Sequence, residues 1–124
     1  MTKILIVDDD ILVTQLLEKL LSVDGYMTTS VNDSSKAIET ASYFKPDLFL
    51  LDLMMPQPDG FKLCRMLRQL PDFAQTPIII ITALDDSDSR AVAFGAGAND
   101  YITKPFHPDE LAERIREVID QSYI

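Results

Sequence analysis

Leu48-Phe49-Leu50-Leu51 runs straight into Asp52, and Leu53 leads on to a turn-forming stretch, Met54-Met55-Pro56-Gln57-Pro58-Asp59-Gly60. A short continuous apolar run bounded by turn residues reads as a strand covered on both faces, the hallmark of a parallel sheet. Ile4-Leu5-Ile6-Val7 has the same form and ends in Asp8-Asp9-Asp10. Pro77 opens a third run, Ile78-Ile79-Ile80-Ile81, which ends in Thr82-Ala83. A chain with three such runs must supply helices for both faces of one sheet, and this strongly limits what it can fold into.

The intervening stretches supply those helices. Ile11, Leu12, Leu16, Leu17, Leu20 and Leu21 recur at helical spacing, with Asp10 as the N-cap and Gly25 as the stop. Tyr26 to Val31 is half polar and β-branched, as an edge strand would be. Asn32, Asp33 and Ser34 signal a helix reaching about Phe44, with Ala37, Ile38 and Ala41 facing in. Gly60 to Leu70 reads as a helix with Phe61, Cys64 and Leu67 on one face. Asp86 to Phe94 reads as a short helix stopped by Gly95-Ala96-Gly97, and Asp100 to Thr103 as a fifth strand. Pro108 suits the first turn of a last helix, with Leu111, Ile115, Val118 and Ile119 inward. Five strands alternating with five helices describe an α/β doubly wound parallel sheet, of order 2-1-3-4-5 if the first strand is central.

Composition narrows the function. Acidic residues outnumber basic ones 20 to 11, a net charge of −9, which argues against direct nucleic-acid binding. Cys64 is the only cysteine, so a disulfide framework is excluded and a zinc site nearly so. No apolar run approaches the roughly 20 residues that span a bilayer, and Met1-Thr2-Lys3 leads directly into a strand with no signal-peptide pattern. The expected setting is cytoplasmic, with no membrane contact.

The ends of the expected strands carry the chemistry. Asp8 and Asp9 end the first, Asp52 the third, Thr82 the fourth, and Lys104-Pro105 follows the fifth. In a parallel sheet these ends share one rim. Taken singly, each is ordinary: paired aspartates cap loops, a threonine ends a strand, a lysine is solvated. Taken together, three carboxylates call for a cation, and oxygen donors without His or Cys suit Mg²⁺. A hydroxyl and an ammonium opposite them would receive an anion. Such a set describes phosphoryl transfer, with a carboxylate as the nucleophile.

On these residues the chain resembles the receiver domain of two-component response regulators, of the flavodoxin-like, chemotaxis-regulator type. The resemblance spans residues 1–124 as one receiver domain, with no output domain visible. Asp8 and Asp9 match the acidic pair, Asp52 the phosphoacceptor, Met55 to Gly60 the loop after it, Thr82-Ala83 the switch hydroxyl and its small neighbour, Tyr101 the switch aromatic, and Lys104-Pro105-Phe106 the lysine tripeptide. The resemblance implies that Asp9 and Asp52 bind Mg²⁺ directly, Asp8 through water, and the Met54 backbone carbonyl as a further ligand. It implies that Thr82 and Lys104 hold phosphoryl oxygens, and that the donor is a phosphohistidine of a sensor histidine kinase or phosphotransfer protein. The domain would catalyse its own phosphorylation and dephosphorylation. It implies a cis Lys104–Pro105 peptide. It implies that Thr82 moves toward phosphate, that Tyr101 swings inward from an exposed rotamer, and that the face of the fourth helix, fifth strand and fifth helix changes for an unknown effector or a phosphorylation-dependent homodimer. His107, at a helix start, is not expected to be a donor. A dehalogenase-like phosphatase would need an acid where Met54 stands, and Asp8 to Asp10 would repel the cofactor phosphate of a flavodoxin-like electron carrier. Met54 and Leu84 flank the path of attacking water and are both apolar, which implies slow loss of the phosphoryl group.

Overall fold

The computed structural model describes residues 1–122. The elements are β1 (Lys3–Val7), α1 (Ile11–Val23), β2 (Met27–Val31), α2 (Ala37–Phe44), β3 (Leu48–Leu51), α3 (Gly60–Gln69), β4 (Ile78–Thr82), α4 (Ser87–Gly95), β5 (Asp100–Thr103) and α5 (Pro108–Ser122). The strands form one parallel sheet in the order β2-β1-β3-β4-β5, as the sequence pattern requires.

Each fully apolar strand divides its side chains between two cores, because successive residues point to opposite faces. Leu5, Val7, Phe49, Leu51, Ile78 and Ile80 join Ala37 and Ala41 of α2, Leu63, Cys64 and Leu67 of α3, and Ala93 of α4. Ile4, Ile6, Leu48, Leu50, Ile79 and Ile81 join Leu17 and Leu21 of α1 and Leu111, Ile115, Val118 and Ile119 of α5. Helices therefore cover both faces, which is why the strands read as unbroken apolar runs. No helix among the described residues is long and apolar enough to cross a membrane.

Caps behave largely as the sequence suggests. Asp10 accepts the Leu12 N–H at 2.9 Å at the start of α1, as expected; at the start of α3 the cap is Asp59, not named as one from the sequence, which accepts the Lys62 N–H at 2.9 Å. The start of the second helix differs: Ser34–Lys36 is a 3-10 turn capped by Asp33, and α2 proper begins at Ala37. A second 3-10 turn, Pro71–Phe73, has no counterpart in the sequence reading. In α1, Ile11, Leu12 and Leu16 are exposed, and the helix buries Thr14, Leu17 and Leu21 instead. Six apolar residues spread too widely round this helix for one stripe. Thr14 can go inside because its hydroxyl donates to the Ile11 carbonyl at 3.0 Å and accepts the Asn32 side-chain amide at 3.1 Å.

At the sheet edge where β4 and β5 begin, Arg68 is a hub. Its guanidinium donates to the carbonyls of Gly97, Phe73 and Thr76 and to the Asn99 side chain, at 2.6 to 3.0 Å. The Asn99 oxygen also accepts the Ile78 N–H. One side chain thus ties α3 to the starts of two strands. Burial lowers the Arg68 pKa from its ordinary value, and neutral carbonyls take the place of a carboxylate partner.

Candidate functional site

Strand register builds the site. Val7 pairs with Leu51, Leu51 with Ile80, and Thr82 with Thr103, so the residue after each strand end emerges on one rim. The ladder continues past the strands: the Asp52 N–H donates to the Val7 carbonyl at 3.0 Å, and the Lys104 N–H to the Thr82 carbonyl at 2.8 Å. The residues anticipated from sequence come together. Asp8 and Asp52 are 3% and 6% exposed, Thr82 is fully buried, and Asp9 is exposed beside them.

One carboxylate oxygen from each of Asp8, Asp9 and Asp52 lies within 4.8 Å of the other two. The Lys104 ammonium sits 2.8 Å from Asp8 Oδ2 and 3.1 Å from Asp52 Oδ2. The second oxygen of each buried carboxylate is held by the backbone: Asp8 Oδ1 accepts the Asp10 N–H at 2.9 Å, and Asp52 Oδ1 accepts the Met54 N–H at 3.1 Å. Burial pushes the Asp8 carboxyl above its usual value and outweighs the opposing pull of Lys104 and the Asp10 N–H. Burial alone would depress Lys104, but its hydrogen bond to Asp8 and the charges of Asp52 and Asp8 raise it, so the ammonium is secured. One ammonium against three carboxylates leaves the cluster electron-rich, and all its side-chain donors are oxygen. That donor set fits Mg²⁺, which favours hard oxygen ligands and keeps several waters.

The loop after Asp52 is held close to the strand end. The Gly60 N–H donates to the Leu53 carbonyl at 3.1 Å, and a Cβ on Gly60 would sit 2.1 Å from the Asp52 carbonyl oxygen. Only glycine allows that approach. Buried Ser34 reaches from the neighbouring loop and offers its hydroxyl to the carbonyls of Pro56 at 2.9 Å and Pro58 at 2.7 Å. Asn32 donates to the Asp8 carbonyl at 2.8 Å. Sequence reasoning took Asn32 and Ser34 only as helix-start signals. Their bonds go to backbone carbonyls of distant segments, for which residue types give no signal. The Lys104–Pro105 peptide is cis, as anticipated, and Gln57–Pro58 is cis as well.

On the β4 side, the backbone of one residue, Leu84, connects the two expected switch residues. The Leu84 N–H points to Thr82 Oγ1 at 3.5 Å, and the Leu84 carbonyl accepts the Tyr101 hydroxyl at 2.6 Å. Tyr101 is 2% exposed, so it occupies the inward position and not the exposed rotamer from which the sequence reading starts it. The reason is local: its hydroxyl has the Leu84 acceptor, and its ring lies beside Phe94, with centroids 6.4 Å apart, and under the Arg90 guanidinium. His107 is exposed and precedes α5, outside the cluster.

The comparisons agree with this geometry. The family model for the response regulator receiver domain matches residues 4–116. A probable transcriptional regulator, ycf27, of Porphyridium aerugineum is 44% identical over 117 residues, covering 94% of this chain and 48% of its own length. The response regulator MprA of Mycobacterium leprae is 42% identical over 117 residues, again 94% of this chain, and 50% of its own. The chain spans about half the length of these curated relatives. The crystal structure of the BeF3-activated N-terminal receiver domain of Klebsiella pneumoniae RstA superposes with a TM-score of 0.89 at 36% identity, over 95% of this chain and 98% of that one. A family-wide match over nearly the whole chain, on a fold with an acidic cluster and a lysine at one rim, places this protein in the response regulator receiver domain family of two-component signalling, whose general function is phosphorylation on an aspartate.

Proposed function

We propose that Asp52 is the phosphoacceptor, that the phosphodonor is a phosphohistidine of a sensor kinase or phosphotransfer protein, and that the domain itself catalyses the transfer. The observation that carries this reading is the Lys104 ammonium, 2.8 Å from Asp8 and 3.1 Å from Asp52, on a rim where buried Thr82 ends the next strand but one from Asp8. An Asp52 carboxylate oxygen attacks phosphorus, the bond from phosphorus to the donor imidazole nitrogen breaks, and the electron pair leaves with the imidazole. Lys104 neutralises charge on the transferring group, and Thr82 supplies a hydroxyl to it; such positioned charges and donors carry most of phosphoryl-transfer catalysis. Asp8, Asp9 and Asp52, with the Met54 carbonyl, would hold Mg²⁺, which when bound supplies further charge neutralisation. The Met54 N–H on Asp52 Oδ1 fixes the carboxylate plane before any ligand arrives.

The signal then passes through Thr82, Leu84 and Tyr101 to the face of α4, β5 and α5, where a downstream protein or a second copy of the chain binds. The net charge of −9 speaks against nucleic-acid contact by this domain itself. The absence of any long apolar helix among the described residues accords with work in the cytoplasm. The test is to supply beryllofluoride with Mg²⁺ and follow the backbone resonances of Thr82, Leu84 and Tyr101. Coordinated shifts at these three, abolished by Asp52→Asn, are expected. Shifts confined to the carboxylate rim would refute the relay.

A further inference from the structure

Arg90 lies on α4, in an acidic neighbourhood that includes Asp85, Asp86 and Asp88. It is half-buried, yet it forms no salt bridge with any described residue. Its guanidinium instead stacks over the Tyr101 ring, 4.7 Å from the centroid. Asp86 is occupied in capping α4 through Ser89, accepting both its N–H, at 3.0 Å, and its hydroxyl, at 2.8 Å. The ring under Arg90 is fixed at its far end by the Leu84 carbonyl and flanked by Phe94. A guanidinium over an aromatic face is attracted by the ring quadrupole, and that attraction exists only while the ring lies beneath it.

We propose that Arg90 is a positioning residue that latches Tyr101 in its inward rotamer, so that the position of the tyrosine and the placement of a cation on the α4–β5 surface are set together. The attraction is reciprocal: whatever Arg90 contributes to the inward state is lost when the ring leaves, and anything that draws Arg90 away loosens the ring. Burial raises the Tyr101 phenol above its ordinary value, and Arg90 pulls in the opposite direction, as a cation at the ring must. The expected size, for a partly exposed stack, is a factor of about two to five in the inward-to-outward ratio. The latch rests on geometry alone; its role in signalling rests on the proposed function of Tyr101.

A double-mutant cycle in the unfolding equilibrium tests the latch. Arg90→Gln should raise the unfolding constant about two- to five-fold more in a Tyr101 background than in Tyr101→Leu. Tyr101→Phe, which keeps the ring, should retain the coupling, and Arg90→Lys should retain part of it. Equal effects of Arg90→Gln with and without the ring would overturn the proposal. Should Tyr101→Leu fail to fold, 3-fluorotyrosine NMR decides. The chain has 4 tyrosines and no tryptophan, so the Tyr101 resonance is assignable by its loss in Tyr101→Phe. Movement of that resonance toward the position of an exposed tyrosine in Arg90→Gln supports the latch, and an unmoved resonance overturns it. Beryllofluoride with Mg²⁺ separates the two ideas: if it leaves Tyr101 unmoved in every variant, the switch reading fails while the cycle still reports on the latch.

Discussion

Replacing Asp9 with Asn should stabilise the metal-free protein, although it removes a residue of the functional site. Asp9 is exposed, and its carboxylate lies within 4.8 Å of those of Asp8 and Asp52. Two unit charges at that distance repel by about 0.9 kcal/mol in a water-like dielectric. Asp9 faces two such charges, and the Lys104 ammonium, bound to both, offsets about one of them. The net relief on neutralising Asp9 is therefore about 1 kcal/mol, less at high salt. No capping role opposes it, since Asp10 caps α1. For a domain of this size the melting temperature should rise by about 4 °C. Millimolar Mg²⁺, which binds the native state, should raise the wild-type value and raise the variant less, so that the order narrows or reverses. Thermal unfolding of both proteins in chelator and in Mg²⁺ reads this directly. A variant that melts below wild type in chelator would mean that Asp9 makes a stabilising contact and that the rim carboxylates do not repel as argued.

Three further outcomes are expected. Gly60→Ala should cost about 3 kcal/mol in denaturant unfolding, since the added Cβ meets the Asp52 and Leu53 backbone and no flexible side chain that could yield; a loss under about 1 kcal/mol would refute the close approach. Stability should fall as pH rises beyond about 10: Tyr101, raised from 10.0, and Lys104, raised from 10.5, both hold their protons longer when folded, so the unfolded chain ionises first, and Lys104→Met should flatten part of that decline. Phosphoryl loss from Asp52 should be slow, because exposed Met54 and half-buried Leu84 cannot orient water; Met54→Asn with Leu84→Glu should hasten decay by up to about 100-fold, and identical decay would dismiss both as gates.

The fold was legible because Leu48 to Leu51 and Ile78 to Ile81 are short runs, apolar at every position and bounded by turn residues, which together mark a strand covered on both faces. The rim was legible because register turns the sequence ends of strands into neighbours, so Asp8, Asp52, Thr82 and Lys104 could be assembled on paper. What escaped notice acts through backbone carbonyls. Arg68, Asn32 and Ser34 bind carbonyl groups of remote loops, and any residue can supply a carbonyl. Arg90 carries no signal in the sequence, since nothing in its spacing marks Tyr101 as its neighbour. The inward face of α1 was ambiguous because apolar residues surround it, and the choice fell to Thr14, whose hydroxyl donates to the Ile11 carbonyl within the helix and accepts the Asn32 amide from the loop after β2.

Asp52 is the residue proposed to receive the phosphoryl group. Incubation with acetyl phosphate and Mg²⁺, followed by mapping of the adduct by mass spectrometry, tests it most directly. The expected result is a single phosphoryl group on Asp52, no adduct on Asp52→Asn, and markedly slower labelling of Lys104→Met with the fold intact. Undiminished labelling of Asp52→Asn, or an adduct on Asp8 or Asp9 in the wild-type protein, would contradict the account.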